Sequence, residues 1–81
     1  MAETLEERQK VSRELEDIQN SLSAAIQKIA RVQLETEQNS PELQETFDAC
    51  VSAVGGAAEQ MGTLWSDYEM ETARRQNEGE L

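Results

Sequence analysis

The chain has 81 residues, enough for one small domain, and 37% of them are hydrophobic while 30% are charged. Seven Lys and Arg residues against seventeen Asp and Glu residues give a formal charge of −10 at pH 7. Because nucleic acids and anionic membrane surfaces are bound by clustered cations, this balance argues against both as partners and favours another protein.

The first predicted element is a long helix covering residues 5–37. Thr4 and Glu7 match a T-x-x-E capping box, in which each side chain accepts a hydrogen bond from the other residue's backbone N–H. The apolar residues that follow alternate in steps of four and three, which is the 3.5-residue repeat of a coiled-coil seam. They are Val11, Leu15, Ile18, Leu22, Ala25, Ile29 and Val32.

A short loop at residues 38–40 is predicted to reverse the chain. Asn39 tolerates the left-handed conformation that ends many helices, Ser40 is a good N-cap, and Pro41 suits the first position of a new helix. Because the loop is so short, we expect the two helices to be antiparallel neighbours.

The second predicted helix covers residues 41–75 and repeats the spacing of the first. Its apolar residues are Leu43, Phe47, Cys50, Val54, Ala57, Met61, Leu64 and Tyr68. Arg74 and Arg75 lie where cations favour a helix C-terminus, and residues 76–81 are expected to fray. The predicted fold is therefore all-α, an antiparallel two-helix hairpin in which the two apolar series form an intramolecular heptad seam.

Apolar residues beside this seam predict a surface for another protein. Val51, Ala58 and Trp65 recur every seven residues next to the second series, and Ile26 lies in the same way beside the first. A wider apolar face implies a further helix that covers it. Trp65 is the most informative of these residues, because Trp is enriched at interfaces. The alternative is that Trp65 folds against the first helix of its own hairpin.

A glycine pair interrupts the second helix at its middle. Gly55 and Gly56 each lower helix stability by about 1 kcal/mol relative to alanine, and they lie opposite residues 23–25 of the first helix. One interpretation is a waist, formed with Ala25, at which the two backbones approach closely. The others are a groove that receives a partner's large side chain and a kink in the helix.

Catalytic and metal-binding chemistry is not indicated by the sequence. Histidine, the commonest general base and metal ligand, is absent. Cys50 falls at a seam position, where a thiol is typically a small buried hydrophobe, and it has no basic neighbour to activate it. Acidic pairs at helical spacing, such as Glu3 with Glu7, are expected to face solvent. We therefore predict a protein that is not an enzyme and takes no cofactor or metal.

The same features favour a cytoplasmic location. The N-terminal residues are charged and lack the apolar core of a signal peptide. The longest apolar stretch is far shorter than the ~20 residues that span a bilayer. A single cysteine cannot form an internal disulfide, so an oxidising compartment is not indicated.

Two segments resemble a known family. Ser-Pro-Glu-Leu at residues 40–43 opens the second helix, small apolar heptads follow, and Leu-Trp-Ser-Asp-Tyr at residues 64–68 comes late in that helix. Over residues 5–70 the chain resembles the small E-type co-chaperones of bacterial type III secretion systems. Members of that family are helical hairpins that pair with a larger tetratricopeptide-like chaperone and keep the needle subunit soluble in the cytoplasm. The resemblance implies that the chaperone is contacted by Val51, Ala58, Trp65 and Tyr68.

The predicted function is that of a non-catalytic helical adaptor or co-chaperone that binds a helical partner. The resemblance further implies a role in keeping a needle subunit soluble. An isolated hairpin of this length buries little surface, so a partner is expected in any case. The alternative is a structural homo-oligomer, in which two copies form a four-helix bundle.

Overall fold

A computed structural model describes residues 3–81 as two long helices packed side by side. Helix α1 spans Leu5–Thr36, a single 3₁₀ turn spans Pro41–Leu43, and helix α2 spans Gln44–Asn77. The reversal at residues 37–40 makes the helices antiparallel, and the molecule is a rod of 60 × 17 × 15 Å. The predicted all-α hairpin is confirmed.

The predicted capping box closes the start of α1. Thr4 Oγ1 accepts a hydrogen bond from the Glu7 backbone N–H at 3.1 Å, and Glu7 Oε1 accepts one from the Thr4 N–H at 3.3 Å. Both bonds satisfy donors that have no partner within the helix. The other end of α1 lies at Thr36, one residue before the predicted end.

The loop differs from its prediction in two details. Asn39 is not left-handed, because the only positive φ among residues 3–81 belongs to a glycine near the C-terminus. Helix α1 instead closes through the Ser40 N–H, which donates to the Thr36 carbonyl at 2.8 Å. The Ser40 side chain makes no capping bond, but its carbonyl accepts from the Leu43 N–H at 3.1 Å. Pro41 occupies the first position of the 3₁₀ turn, as expected.

The C-terminal end of α2 is closed rather than frayed as predicted for residues 76–81. The helix continues two residues further, to Asn77. Gly79 has a φ of 77°, and its N–H donates to the Gln76 carbonyl at 3.2 Å. The Glu80 N–H donates to the Arg75 carbonyl at 2.8 Å. This pair of bonds around a left-handed glycine is a Schellman motif, which satisfies the last carbonyls of a helix.

The helices meet along a heptad repeat that differs from the predicted seam at every second position. The buried and half-buried residues of this repeat in α1 are Leu5, Arg8, Ser12, Leu15, Gln19, Leu22, Ile26, Ile29, Gln33 and Thr36. Those in α2 are Gln44, Phe47, Val51, Val54, Ala58, Met61, Trp65, Tyr68, Thr72 and Arg75. About half of the predicted series, seven of its fifteen residues including Leu15, Phe47 and Val54, lies in this interface.

The other half of the predicted seam lies outside the interface. Ile18, Val32, Leu43 and Leu64 are 46%, 39%, 48% and 48% exposed. Cys50 is exposed as well, so its prediction as a buried seam residue is wrong. Val11 is half-buried at the edge of the interface.

Hydrogen bonds across the helices explain the shift. Three polar residues of α1, which the sequence pattern had left out of the seam, occupy interface positions. The Trp65 indole N–H donates to Ser12 Oγ at 3.0 Å, and Gln33 Nε2 donates to Asp48 Oδ1 at 2.7 Å. Gln19 lies against Gly62, where there is no side chain. Ser12 and Gln33 therefore have hydrogen-bond partners on α2, and Gln19 occupies the space left by a glycine.

The predicted waist at Gly55 and Gly56 is not a close approach of the two helices. A Cβ atom added at either glycine would meet nothing within 4 Å. Ala25 is half-buried, and α2 is helical without interruption through this level. The close contact occurs instead at Gly62, where an added Cβ would lie 2.6 Å from Nε2 of Gln19.

Replacement of Gly56 by alanine is expected to stabilise the chain by about 0.5–1 kcal/mol, because alanine removes the entropic disadvantage of glycine in a helix. Gly62→Ala is the matched control. Its Cβ would push the Gln19 side chain away, so the gain should be smaller or absent. Urea unfolding at matched protein concentration, followed by circular dichroism, measures both. A destabilised Gly56→Ala variant would mean that this position contacts something on the other helix.

Candidate protein-binding site

The interface repeat defines two sides of the hairpin. We label the interface positions a and d: Ser12 and Gln33 of α1 and Trp65 of α2 are a residues, and Arg8 of α1 and Tyr68 of α2 are d residues. Residues at position e then lie beside the a residues, and residues at position g lie beside the d residues. Hydrogen bonds connect a positions of α1 to e positions of α2, from Gln33 to Asp48 and from Ser12 to Glu69. The e residues of both helices therefore lie on one side, and the g residues of both lie on the other.

The g side of the hairpin carries the exposed apolar residues. Its members, which we call the apolar flank, are Val11, Ile18, Ala25 and Val32 in α1 and Leu43, Cys50, Ala57 and Leu64 at the corresponding places of the 3₁₀ turn and α2. Four of the six large exposed hydrophobic residues in residues 3–81 belong to it; the other two are Leu34 and Met70. The e side has polar or small residues at the same levels, such as Glu16, Asp48 and Glu69.

Two shallow depressions lie along the apolar flank. One is formed around Ile18 and Leu22, with the carboxylates of Glu14 and Asp17 at its edge. The other is lined by Leu43, Thr46, Phe47 and Cys50. Such apolar depressions on an exposed surface are suited to the side chains of another protein rather than to a small ligand.

The residues predicted to bind a partner are brought together between the helices instead of on the outer surface. Trp65 is half-buried and donates its indole N–H to Ser12. Tyr68 lies under the guanidinium of Arg8, 4.0 Å from the ring centroid. Val51, Ala58 and Ile26 are half-buried at interface positions of the heptad. Contact between any of these five residues and a partner stays a prediction.

A buried arginine cluster at the open end of the hairpin was not predicted from the sequence. Arg8 is only 2% exposed. Its Nε donates to Thr72 Oγ1 at 2.7 Å, and its terminal nitrogens donate to carboxylate oxygens of Glu3 at 2.9 Å and Glu71 at 2.7 Å. The sequence does contain one indication of this cluster. The spacing of three residues from Leu5 to Arg8 continues the interface repeat toward the N-terminus.

The charges of this cluster stabilise one another. Burial of Arg8 removes water and lowers its pKa, but the hydrogen bonds to Glu71 and Glu3 outweigh that effect, so that the pKa is raised overall. The hydrogen bond from Arg8 lowers the pKa of Glu71, and the charge of Arg75 lowers it further. Both groups stay charged at neutral pH and connect the two helices.

The lowered pKa of Glu71 predicts a pH-dependent contribution to stability. Because the pKa in the folded chain is below its ordinary value of 4.5, the stabilisation is present above that value and is lost as the pH falls through the folded-state pKa. We expect the difference in unfolding free energy between the wild type and Glu71→Gln to be largest near neutral pH and to shrink in acid. Urea unfolding of both chains at a series of pH values measures this difference. A difference that does not change with pH would contradict the ion pair.

Metal-ligand clusters, unpaired buried polar groups and membrane-spanning helices are absent from residues 3–81. Within residues 3–81, no group of three or more potential ligand side chains is arranged to hold a metal ion. In the same part of the chain, every buried side-chain nitrogen or oxygen has a hydrogen-bond partner. Neither described helix is long and apolar enough to cross a membrane.

Comparison of the chain with protein-family models, with curated proteins and with solved structures finds no match. The apolar flank and the Arg8 cluster are therefore assigned from the residues of this chain alone.

Proposed function

We propose that the protein is a non-catalytic helical adaptor that binds another helical protein across its apolar flank. The observation that carries this proposal is the position of Ile18, Val32 and Leu64, all exposed on one side, in a chain whose described residues include no buried hydrophobic side chain. Full burial of one such side chain contributes about 1.5–3 kcal/mol. Coverage of the flank therefore adds apolar burial that the hairpin does not achieve by itself.

The surface area of the chain supports a partner of substantial size. The accessible surface is 6017 Å². A compact protein of 9.1 kDa exposes about 4,900 Å², so this chain exposes about 1,100 Å² more than its mass requires. A standard protein–protein interface buries about 800 Å² on each partner. The excess is thus of the size that one interface would cover.

The resemblance to type III secretion co-chaperones gives this proposal a specific form. In that form the partner is a tetratricopeptide-like chaperone, and the pair keeps a needle subunit soluble in the cytoplasm. Support comes from the hairpin and from the segment at residues 64–68. Leu64 of that segment lies on the apolar flank, whereas Trp65 is bonded to Ser12. We therefore place the chaperone contact at Leu64 and its neighbours on the flank.

Site-specific cross-linking tests the proposal. A photoreactive amino acid at position 64, in cells that produce the protein, should form an adduct with one other protein. Position 70 is the matched control, because Met70 is at least as accessible, at 61% exposed against 48% for Leu64, but lies away from the flank. With the purified pair, Leu64→Glu should weaken binding at least tenfold, or about 1.4 kcal/mol, while Met70→Glu leaves it unchanged. The proposal would be contradicted by equal yields of adduct from both positions, or by a binding affinity that the Leu64 substitution does not change.

A structural homo-oligomer is the second candidate function. It is favoured by the width of the flank, which extends over both helices and so matches the face of another hairpin. The same experiment separates the two candidates. An adduct of the chain with itself alone would favour assembly over an adaptor role.

A further inference from the structure

Layers of side chains run along the apolar flank in a regular order. The contact between Gln33 and Asp48 shows which residues lie level with each other on the two helices. In this register Ile18 lies level with Leu64, and one heptad closer to the loop Ala25 lies level with Ala57. The two layers are about 10 Å apart, since a helix rises 1.5 Å per residue. A bulky layer is therefore followed by a small one.

Two charged residues of α1 lie symmetrically about the level midway between the bulky and the small layer. Glu14 and Lys28 lie two heptads apart on the edge of the flank in α1, and both are exposed. Neither takes part in an ion pair within the part of the chain that the structure describes. The midpoint between them is Ser21, which is also midway between the bulky and the small layer.

We propose that a second copy of the chain occupies the apolar flank of the free protein, with the two hairpins antiparallel. Helix α1 packs against α1 and α2 against α2, about a two-fold axis level with Ser21. This inference rests on the proposed function, because it takes the flank to be a helix-binding surface. The heteromeric partner then displaces the second copy.

The antiparallel arrangement satisfies both patterns at once. Ile18 and Leu64 of each copy lie over Ala25 and Ala57 of the other, so that large side chains fill the space above small ones, as packing requires. Glu14 of each copy lies opposite Lys28 of the other near the axis, and the like charges of Glu7 and Glu35 meet only at the outer ends of the same edge. Because the interface is isologous, both matches occur twice.

A parallel arrangement of the two copies satisfies neither pattern. It would stack Ile18 of each copy on Leu64 of the other and leave a gap between the alanine layers, and such gaps are destabilising. It would also place Glu14 and Lys28 level with their own counterparts rather than with each other. The charge of −10 on each copy opposes association in any orientation, but it is screened beyond about 8 Å at physiological ionic strength.

Sedimentation equilibrium of the full chain at physiological ionic strength tests the second copy. The wild type should be a dimer, and Leu64→Glu should raise the dissociation constant at least tenfold. Met70→Glu, at an exposed hydrophobic residue away from the flank, is the control and should leave it unchanged. Modification of the Cys50 thiol should be slower in the dimer than in the Leu64→Glu variant, because Cys50 lies on the covered face.

Charge exchange tests the orientation. Glu14→Lys and Lys28→Glu should each raise the dissociation constant roughly tenfold, since each places like charges together twice. The double variant should restore the wild-type constant. Glu16→Lys makes the same change in net charge on the e side and should not weaken the dimer. Circular dichroism on the same samples shows whether each variant is folded.

Three outcomes would overturn the inference: a helical monomer, a dimer that Leu64→Glu does not weaken, and a double variant that does not recover. A helical monomer would not bear on the adaptor proposal, which the cross-linking experiment tests separately. A dimer accompanied by cross-links to no other protein would support this inference and overturn the adaptor proposal.

Discussion

Replacement of Trp65 by alanine is expected to lower the free energy of unfolding by about 3 kcal/mol, at the lower end of the range for Trp→Ala because the side chain is half-buried. The substitution removes the largest side chain between the helices and the hydrogen bond to Ser12. No described hydrophobic residue is fully buried elsewhere to compensate for this loss. Helical circular dichroism should therefore fall, and the urea midpoint should drop.

Two matched variants separate packing from hydrogen bonding at this site. Trp65→Phe keeps an aromatic ring but removes the N–H and part of the side-chain volume, whereas Ser12→Ala keeps the indole in place and removes the bonds to Trp65 and Glu69. Each should lower stability by about 1–2 kcal/mol, since one hydrogen bond contributes about 1 kcal/mol net. All chains are compared at one protein concentration, because self-association raises apparent stability. A Trp65→Ala chain with unchanged helicity and weaker partner binding would show instead that Trp65 faces outward, as the sequence pattern suggested.

Local sequence signals were sufficient to predict the hairpin. The capping box of Thr4 and Glu7, the proline at the first position of the turn and the continuous 3.5-residue spacing each depend on residues close together in the chain. Such signals determine where helices begin and end. The C-terminal end was missed because Gly79 was not recognised as the left-handed residue of a Schellman motif.

The register between the helices was beyond local signals. Two heptad registers share Leu15, Leu22 and Ile29 in α1 and differ only in the residues between them. The predicted register contains Ile18 and its equivalents, which are apolar. The observed register contains Ser12, Gln19 and Gln33 instead. The residues that they contact, Trp65, Gly62 and Asp48, lie in the other helix. Compatibility of this kind appears only when both helices are considered together.

The two apolar stripes consequently exchange roles. The stripe of Val51, Ala58 and Trp65, predicted to meet a partner, lies between the helices, and the stripe of Ile18 and Leu64, predicted to hold the hairpin, is exposed. The chain has more apolar surface than the contact between its two helices covers. Which edge of that surface faces inward does not follow from the sequence, because both stripes have the same period.

Replacement of Arg8 by alanine is expected to lower the free energy of unfolding by about 2 kcal/mol, within the range for hydrogen bonds to charged groups. The substitution removes the bonds to Thr72, Glu3 and Glu71 together with the contact over the ring of Tyr68. Because the cluster joins residues 60 or more apart, the open end of the hairpin should separate first. Hydrogen exchange of the amides in the first turns of α1 should accelerate more than that of amides near the loop.

Arg8→Lys is the control for charge alone. Lysine keeps the positive charge but lacks the planar fork that reaches Thr72 and Glu71 at the same time, so it should recover only part of the lost stability. In a double-mutant cycle, Glu71→Gln should be less destabilising in the Arg8→Ala chain than in the wild type, since the partner is already absent. Additive effects would show that Arg8 and Glu71 act independently. In that case the open end would be held by packing on Tyr68 and the bond to Thr72 rather than by the ion pair.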